Sequence, residues 1–409
     1  MNFSKEYLSA LICVAFAGLF FSVYIGNLLL LILLIVGLFY NHFHHTIKNL
    51  KTNYLIWFPI IFFSLHVVGL LYTQNMKSGL FAIEKQIYFL LVPGLLFYPI
   101  YNLSNEEYGR LLKNLSLIAF GSSFVVLAIA TIKFVILGDI MVFHFENFSP
   151  ISYVYYSMYF VCSSTSLCVR LVDSKNSLTR KILYGSVIVI YSIGFLVLVS
   201  CKMAIIAFIL CLFYLFYKKL QSKKMLITAI VITIVSLALF ISMSKNTQDR
   251  FLVLTQNFEI LNKDHFNGDD EEFNGLNLRL LFWKYTLQEV TINNWELIGA
   301  GTGDTQDLVD SSYTRHNLDE YGYVGFDPHN QWIFTYAQLG LIGIVVLIVM
   351  YWFSFRAAIL SENLPFFFFL LTTLLFSLTE SIFESNKGIV FFVMLYTIMS
   401  CQNKKHLTG

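Results

Sequence analysis

Charge is what this 409-residue chain has least of. Asp, Glu, Lys and Arg make up 13% of it, against roughly 25% in an ordinary soluble domain. Apolar residues make up 57%, and the mean hydropathy is +0.68. That balance excludes a soluble domain with a polar shell. The net charge is only +2, and the basic residues are scattered between apolar runs. No basic patch is left to hold nucleic acid. Cysteine is sparse and badly placed for chemistry. Cys13, Cys162, Cys168, Cys201, Cys211 and Cys401 all lie in or beside apolar runs, so neither a disulfide framework nor a metal quartet is read from them. No internal repeat or low-complexity tract stands out. The two halves also lack the paired broken helices of an inverted-repeat transporter.

What is present is a succession of apolar runs of about 17 to 25 residues, the length that crosses a hydrocarbon core. They fall at 7–24, 26–42, 54–72, 82–100, 114–136, 151–171, 182–200, 203–219, 225–243, 331–354, 364–380 and 386–400. The sequence therefore predicts an all-α polytopic membrane bundle of about twelve transmembrane helices. It divides into spans 1–9 (residues 1–243), one large polar loop (244–330), and spans 10–12 with a short tail (331–409). The first apolar run continues through Ala15-Phe16-Ala17 and reads as a retained span rather than a cleaved signal.

Basic residues set the orientation. Lys5, Lys48, Lys51, Arg110, Lys113, Arg170, Lys175, Arg180, Lys181, Lys218, Lys219, Lys223, Lys224, Arg356, Lys404 and Lys405 fall at the termini and in alternate connections. The short opposite connections and helix ends keep only Lys77, Lys85, Lys133, Lys202 and Lys387. The positive-inside rule puts the first set in the cytoplasm and the long loop on the outer, periplasmic face.

Within that loop, Leu276, Leu280, Trp283, Leu287 and Val290 recur at helical spacing. They predict an amphipathic helix over 277–290, capped by Asn277 and lying near the membrane surface. Asp269-Asp270-Glu271-Glu272 reads as a solvated tip, because the alternating spacing of a calcium loop is missing. The run Gly299-Ala300-Gly301-Thr302-Gly303 does not have dinucleotide spacing. It reads as a tight turn packed near the helix that follows. His42, His44 and His45 read as a polar loop, and His66 as a histidine bonded to a neighbouring helix.

Few residues are left to carry chemistry. His329, between Pro328 and Asn330, stands where the loop enters a span. It is a candidate general base, with an interfacial histidine bonded to a backbone carbonyl as the alternative. Arg279 and Trp283 share one helix face. An arginine there suits a phosphate fork or, equally, a lipid headgroup. Lys202 and Lys85 are cations at outer helix ends, where charge is costly and marks function; Lys85 has Glu84 as an alternative partner. Glu380 and Glu384, four apart, either orient a base or cap helix ends.

Taken together, these residues resemble the O-antigen ligase family, which also contains O-antigen polymerases and protein O-oligosaccharyltransferases. The resemblance covers the general plan of spans and loop. It is most specific across Arg279, Trp283, Leu297-Ile298-Gly299-Ala300-Gly301, His329-Asn330 and Leu339-Gly340-Leu341-Ile342-Gly343. A second match runs from Thr379-Glu380-Ser381-Ile382-Phe383-Glu384 to Lys387-Gly388-Ile389-Val390-Phe391-Phe392. At Cys201-Lys202-Met203 the family usually carries Ser-Arg-Gly; lysine keeps the charge but loses the fork.

The resemblance implies a glycosyltransferase of the bacterial inner membrane, working at the periplasmic face. The donor would be a glycan on undecaprenyl diphosphate and the acceptor the lipid A core, with inversion at the anomeric carbon and without metal or nucleotide cofactor. His329 would be the base. Arg279, Lys202 and Lys85 would hold the diphosphate, and Asn330, Trp283, Glu380 and Glu384 would support them. The alternatives are a polymerase joining repeat units on the lipid carrier and a transporter of lipid-linked glycan.

Overall fold

The computed structural model describes residues 5–40, 53–139, 151–219 and 275–401, together with isolated positions between 220 and 274. Among the described residues every regular element is helical. The all-α class is as expected. Among the described residues, four helical stretches are long and apolar enough to cross a membrane: Met76–Tyr101, Asn105–Leu137, Leu178–Val199 and Gln331–Leu360. Four shorter apolar helices accompany them. The expected span 225–243, the acidic run 269–272 and the histidines 42, 44 and 45 lie largely or wholly outside the described residues.

The chain begins with α1 (Lys5–Gly18) and α2 (Val23–Tyr40), a tight antiparallel pair. Helix α3 (Trp57–Leu70) follows a short 3-10 turn. Then α4 (Met76–Gln86) and α5 (Tyr88–Tyr101) run on almost without a break. Ser104 and Glu107 form a reciprocal capping box that starts α6 (Asn105–Leu137), which satisfies two amide groups a helix start leaves without partners. Helices α7 (Tyr153–Asp173), α8 (Leu178–Val199) and α9 (Lys202–Lys219) zigzag beside it.

Within the polar interval lie α10 (Gly275–Ile292) and α11 (Thr305–Arg315); after it come α12 (Gln331–Leu360), α13 (Leu364–Ser377) and α14 (Asn386–Ser400). Helix α14 is the central pillar; every residue from Gly388 to Ser400 is buried. Its aromatic rings stack into the neighbouring helices, Phe391 on Tyr159 and Phe392 against Phe383 and Tyr351. Hydroxyl pairs join other helices across the bundle: Ser122 with Tyr156, Ser123 with Tyr191, Ser354 with Tyr396. In an apolar surround such bonds and close contacts hold helices together, because lipid is as apolar as leucine.

The bundle has two distinct ends. At one, Lys5 donates to Asn102 O, Arg170 to Gly109 O, Lys181 to Val172 O, and Lys219 pairs with Asp173. At the other, α10 and α11 form a polar cap over a small core of their own, built on Leu281, Phe282, Tyr285, Leu308, Val309 and Tyr313.

The loop helix departs from its expected form. It starts at Gly275, so Asn277 lies inside the helix, buried, and does not cap it. The face turned inward is Asn277, Leu281, Phe282, Tyr285, Thr286, Glu289 and Val290, whereas Leu287 is 39% exposed. The helix carries apolar residues on both sides. Packing against α11, helped by an Arg315–Glu289 ion pair at 3.0 Å, decides which side turns in.

The glycine run meets a break in α12. Gly340 has φ 61° and ψ −158° inside the helix, and the residues around it leave the regular ladder. The 296–301 segment supplies partners: Ala300 N donates to Ala337 O at 2.8 Å, Gly301 N to Gln338 O at 3.1 Å, and Leu341 N to Glu296 O at 2.8 Å. Two segments about 40 residues apart in sequence thus close each other's hydrogen bonds, as buried backbone requires. Thr302 donates to His66 O, and His66 bonds through its second ring nitrogen to Gln338 at 3.0 Å. His66 is therefore bonded to a neighbouring helix, as its position in an apolar run suggests.

Candidate functional site

The sequence candidates converge where α10, the start of α12 and the α13–α14 connection meet. Trp283 and Arg279, one turn apart on α10, both reach toward this point. The Trp283 indole donates to Pro328 O at 2.8 Å. The Arg279 Nη2 donates to Glu380 Oε1 at 2.8 Å. The other oxygen of the same carboxylate, Glu380 Oε2, lies 3.3 Å from His329 Nδ1. One acid therefore bridges the arginine and the histidine. Its side chain is only 12% exposed.

His329 is held by its own neighbours in a left-handed backbone conformation, φ 47°. Asp327 Oδ1 accepts from the His329 backbone N–H at 2.6 Å and from Ser381 Oγ at 3.1 Å, and lies 3.6 Å from the ring nitrogen. Asn330 follows as the cap of α12. Its side chain accepts from Trp332 N and Ile333 N, and its amide donates to Leu378 O at 3.0 Å. Asn330 thus fixes the helix start to the loop that carries Glu380. Burial works against a charged His329. The hydrogen bond to Glu380 and the charges of Asp327 and Glu380 outweigh it, even against Arg279, and raise its pKa above the ordinary value.

The connection 378–385 is clamped from two sides. Gln331 Oε1 accepts from Phe383 N at 2.7 Å, and Gln86 donates to Phe383 O at 2.6 Å. Lys85 donates to the backbone Glu384 O at 3.1 Å and stands 5.0 Å from the Phe81 ring centre. It thus reaches the loop that carries Glu380 and Glu384. The Glu384 carboxyl has one oxygen, Oε1, that is shut off from solvent and has no partner. Burial pushes its pKa up to about 8, although Lys85 pulls the other way.

Lys202 is the first residue of α9, just after the left-handed turn at Ser200. The Lys219–Asp173 pair at 2.7 Å joins the C-terminal ends of α9 and α7. Lys202 therefore stands at the opposite end of the bundle, the end that holds His329.

Reasoning from the sequence did not single out Asp327, Ser381 or Gln331. Asp327 lies two residues before His329 in a Pro-containing turn, and that spacing is the signal that could have found it: an Asp there can accept a backbone N–H two residues on.

Chemically the arrangement is a basic imidazole, a shared carboxylate and an arginine at one end of an apolar helical bundle. That describes a helical protein with apolar helices of membrane-spanning length and these three groups in contact under a polar cap. Residues 187–348 match the family model described as O-antigen ligase, which supports an assignment to that family. The match runs from α8 through the polar interval into α12 and includes Lys202, Arg279, Trp283, His329 and Asn330. Lys85, Glu380 and Glu384 lie outside it. At the coarse level this supports an enzyme of ligase or polymerase type, working on lipid-linked glycans in lipopolysaccharide biosynthesis. No curated protein matches the chain.

Proposed function

We propose that the protein transfers a glycan from undecaprenyl diphosphate to the lipid A core, at the periplasmic face of the bacterial inner membrane. The observation that carries this reading is the Glu380 carboxylate shared between Arg279 and His329. A transfer of this kind needs a base for the incoming hydroxyl and positive charge for the departing diphosphate. His329 Nδ1 faces Glu380 and Asp327, so its proton belongs there and Nε2 is the nitrogen that accepts. Nε2 takes the proton of the acceptor hydroxyl. The oxygen attacks the anomeric carbon from the face opposite the diphosphate, the glycosidic bond to phosphate breaks, and the configuration inverts. Arg279, Lys202 and Lys85 balance the charge that gathers on the leaving diphosphate. Trp283 and Asn330 hold the two ends of the His329 segment. The division into spans 1–243, loop 244–330 and spans 331–409 belongs to this reading, with the lipid tail of the donor lying against the apolar helices.

The test is the lipopolysaccharide of a deletion strain complemented with wild type or Arg279→Ala. Loss of a ligase leaves bare core, with polymer accumulating on the carrier. Core bearing a single repeat instead would identify a polymerase and overturn the choice of acceptor. Arg279→Ala is expected to cut transfer by about 10²–10³-fold, as for removal of one oxyanion-stabilising donor.

A further inference from the structure

Glu380 faces two claims on one carboxylate. Its Oε1 is 2.8 Å from Arg279 and its Oε2 is 3.3 Å from His329. The second distance is long for a charge-assisted bond, which settles near 2.7–2.9 Å. Arg279 meanwhile is not saturated: its Nε is buried and has no partner. A guanidinium offers five donors in a plane, and one carboxylate oxygen engages few of them. An anion with several oxygens and more than one negative charge fits that fork better than Glu380 does.

We propose that Glu380 is a hand-over carboxylate: in the unliganded protein it occupies Arg279, and the diphosphate of the donor displaces it, so that it then serves His329 alone. This rests on the donor reading above. It makes Glu380 a positioning residue that couples donor binding to the readiness of the base. Before the donor arrives, Arg279 shares the carboxylate and its charge opposes protonation of the imidazole. Once the diphosphate neutralises Arg279, the opposition is gone and Glu380 closes on Nδ1. The groups facing His329 are Asp327, Glu380 and Arg279; Arg279 and Glu380 change partners, and Asp327 keeps its own. The base therefore becomes strong when a donor is in place to be attacked. Donor binds first and acceptor second.

The experiment uses purified full-length protein in detergent, with undecaprenyl diphosphate as the probe and no acceptor. Glu380→Gln removes the competing charge but keeps the shape. It is expected to bind the probe several-fold more tightly than wild type, while turnover falls at least tenfold. The acid limb of its pH–rate profile should also move to lower pH. A purely structural role for Glu380 would weaken binding and turnover together and leave the limb in place. Equal or weaker probe binding by Glu380→Gln, beside normal binding by wild type, overturns the hand-over alone. Failure of wild type to bind the probe overturns the donor reading itself. Glu380→Ser is read in the same way and serves if the glutamine variant melts early.

Discussion

His329 has a left-handed backbone conformation at φ 47°, uncommon outside glycine, though His, Asn and Asp adopt it more often than other residues. Asp327 holds it there through the backbone N–H, and the same carboxylate presents its charge to the ring at 3.6 Å. These two tasks separate in Asp327→Asn, whose amide oxygen still accepts from the backbone but carries no charge. The base must be neutral to work, so activity is lost as pH falls through the His329 pKa. That pKa is raised, which puts the acid limb of the pH–rate profile above 6.5. In Asp327→Asn the limb should shift to lower pH with the melting temperature little changed. A limb that stays in place would remove Asp327 from the electrostatics of the site. His329, Arg279 and Glu380 were legible as candidates because their chemistry is unusual in so apolar a chain. Asp327 was not, since a carboxylate in a polar loop has no unusual composition to betray it; only the turn it closes gives it meaning.

At the scale of elements, the most informative feature is the meeting of Leu297–Gly301 with the break in α12. A glycine run and a helical glycine are each ambiguous in a sequence. Their pairing spans about 40 residues, and no local periodicity encodes it. The same limit explains why the inward face of α10 is turned from the expected stripe. Its apolar residues lie on both sides, and the partner helix α11 chooses between them. By contrast the apolar runs themselves located most of the bundle, because burial in lipid needs only length and composition. The glycine pairing makes a sharp prediction. A Cβ on Gly340 would lie 2.3 Å from the Leu297 carbonyl carbon, in a backbone region that is essentially glycine-only and costs about 1–3 kcal/mol for other residues. Gly340→Ala should therefore lower the melting temperature of the detergent-solubilised protein by several degrees and depress activity with it. Gly109→Ala in α6, where no atom lies within 4 Å of the added carbon, should leave activity unchanged and raise the melting temperature slightly, since alanine suits a helix interior better than glycine. Equal melting of the two variants would show that the 297–301 segment does not need to lie so close to α12.

The whole molecule is polarised along the bundle axis, and this decides which compartment the chemistry faces. Lys175 between α7 and α8, and Arg180 and Lys181 in the first turn of α8, lie at the end where Lys5, Arg170 and Lys219 also gather. The cap with Arg279 and His329 sits at the other end. Short connections rich in lysine and arginine stay in the cytoplasm, so the cap is expected in the periplasm. The native cysteines suit a labelling test, since five of the six are buried and Cys13 is partly so. Single cysteines placed at Glu320 in the cap and at Asn176 between α7 and α8, both exposed, report the two ends. In cells with a permeabilised outer membrane, an impermeant maleimide should label Glu320→Cys at once and Asn176→Cys only after the inner membrane is broken. The reverse order would put His329 in the cytosol. A periplasmic acceptor could not reach the base there, and the proposed transfer would fail however well its residues are arranged.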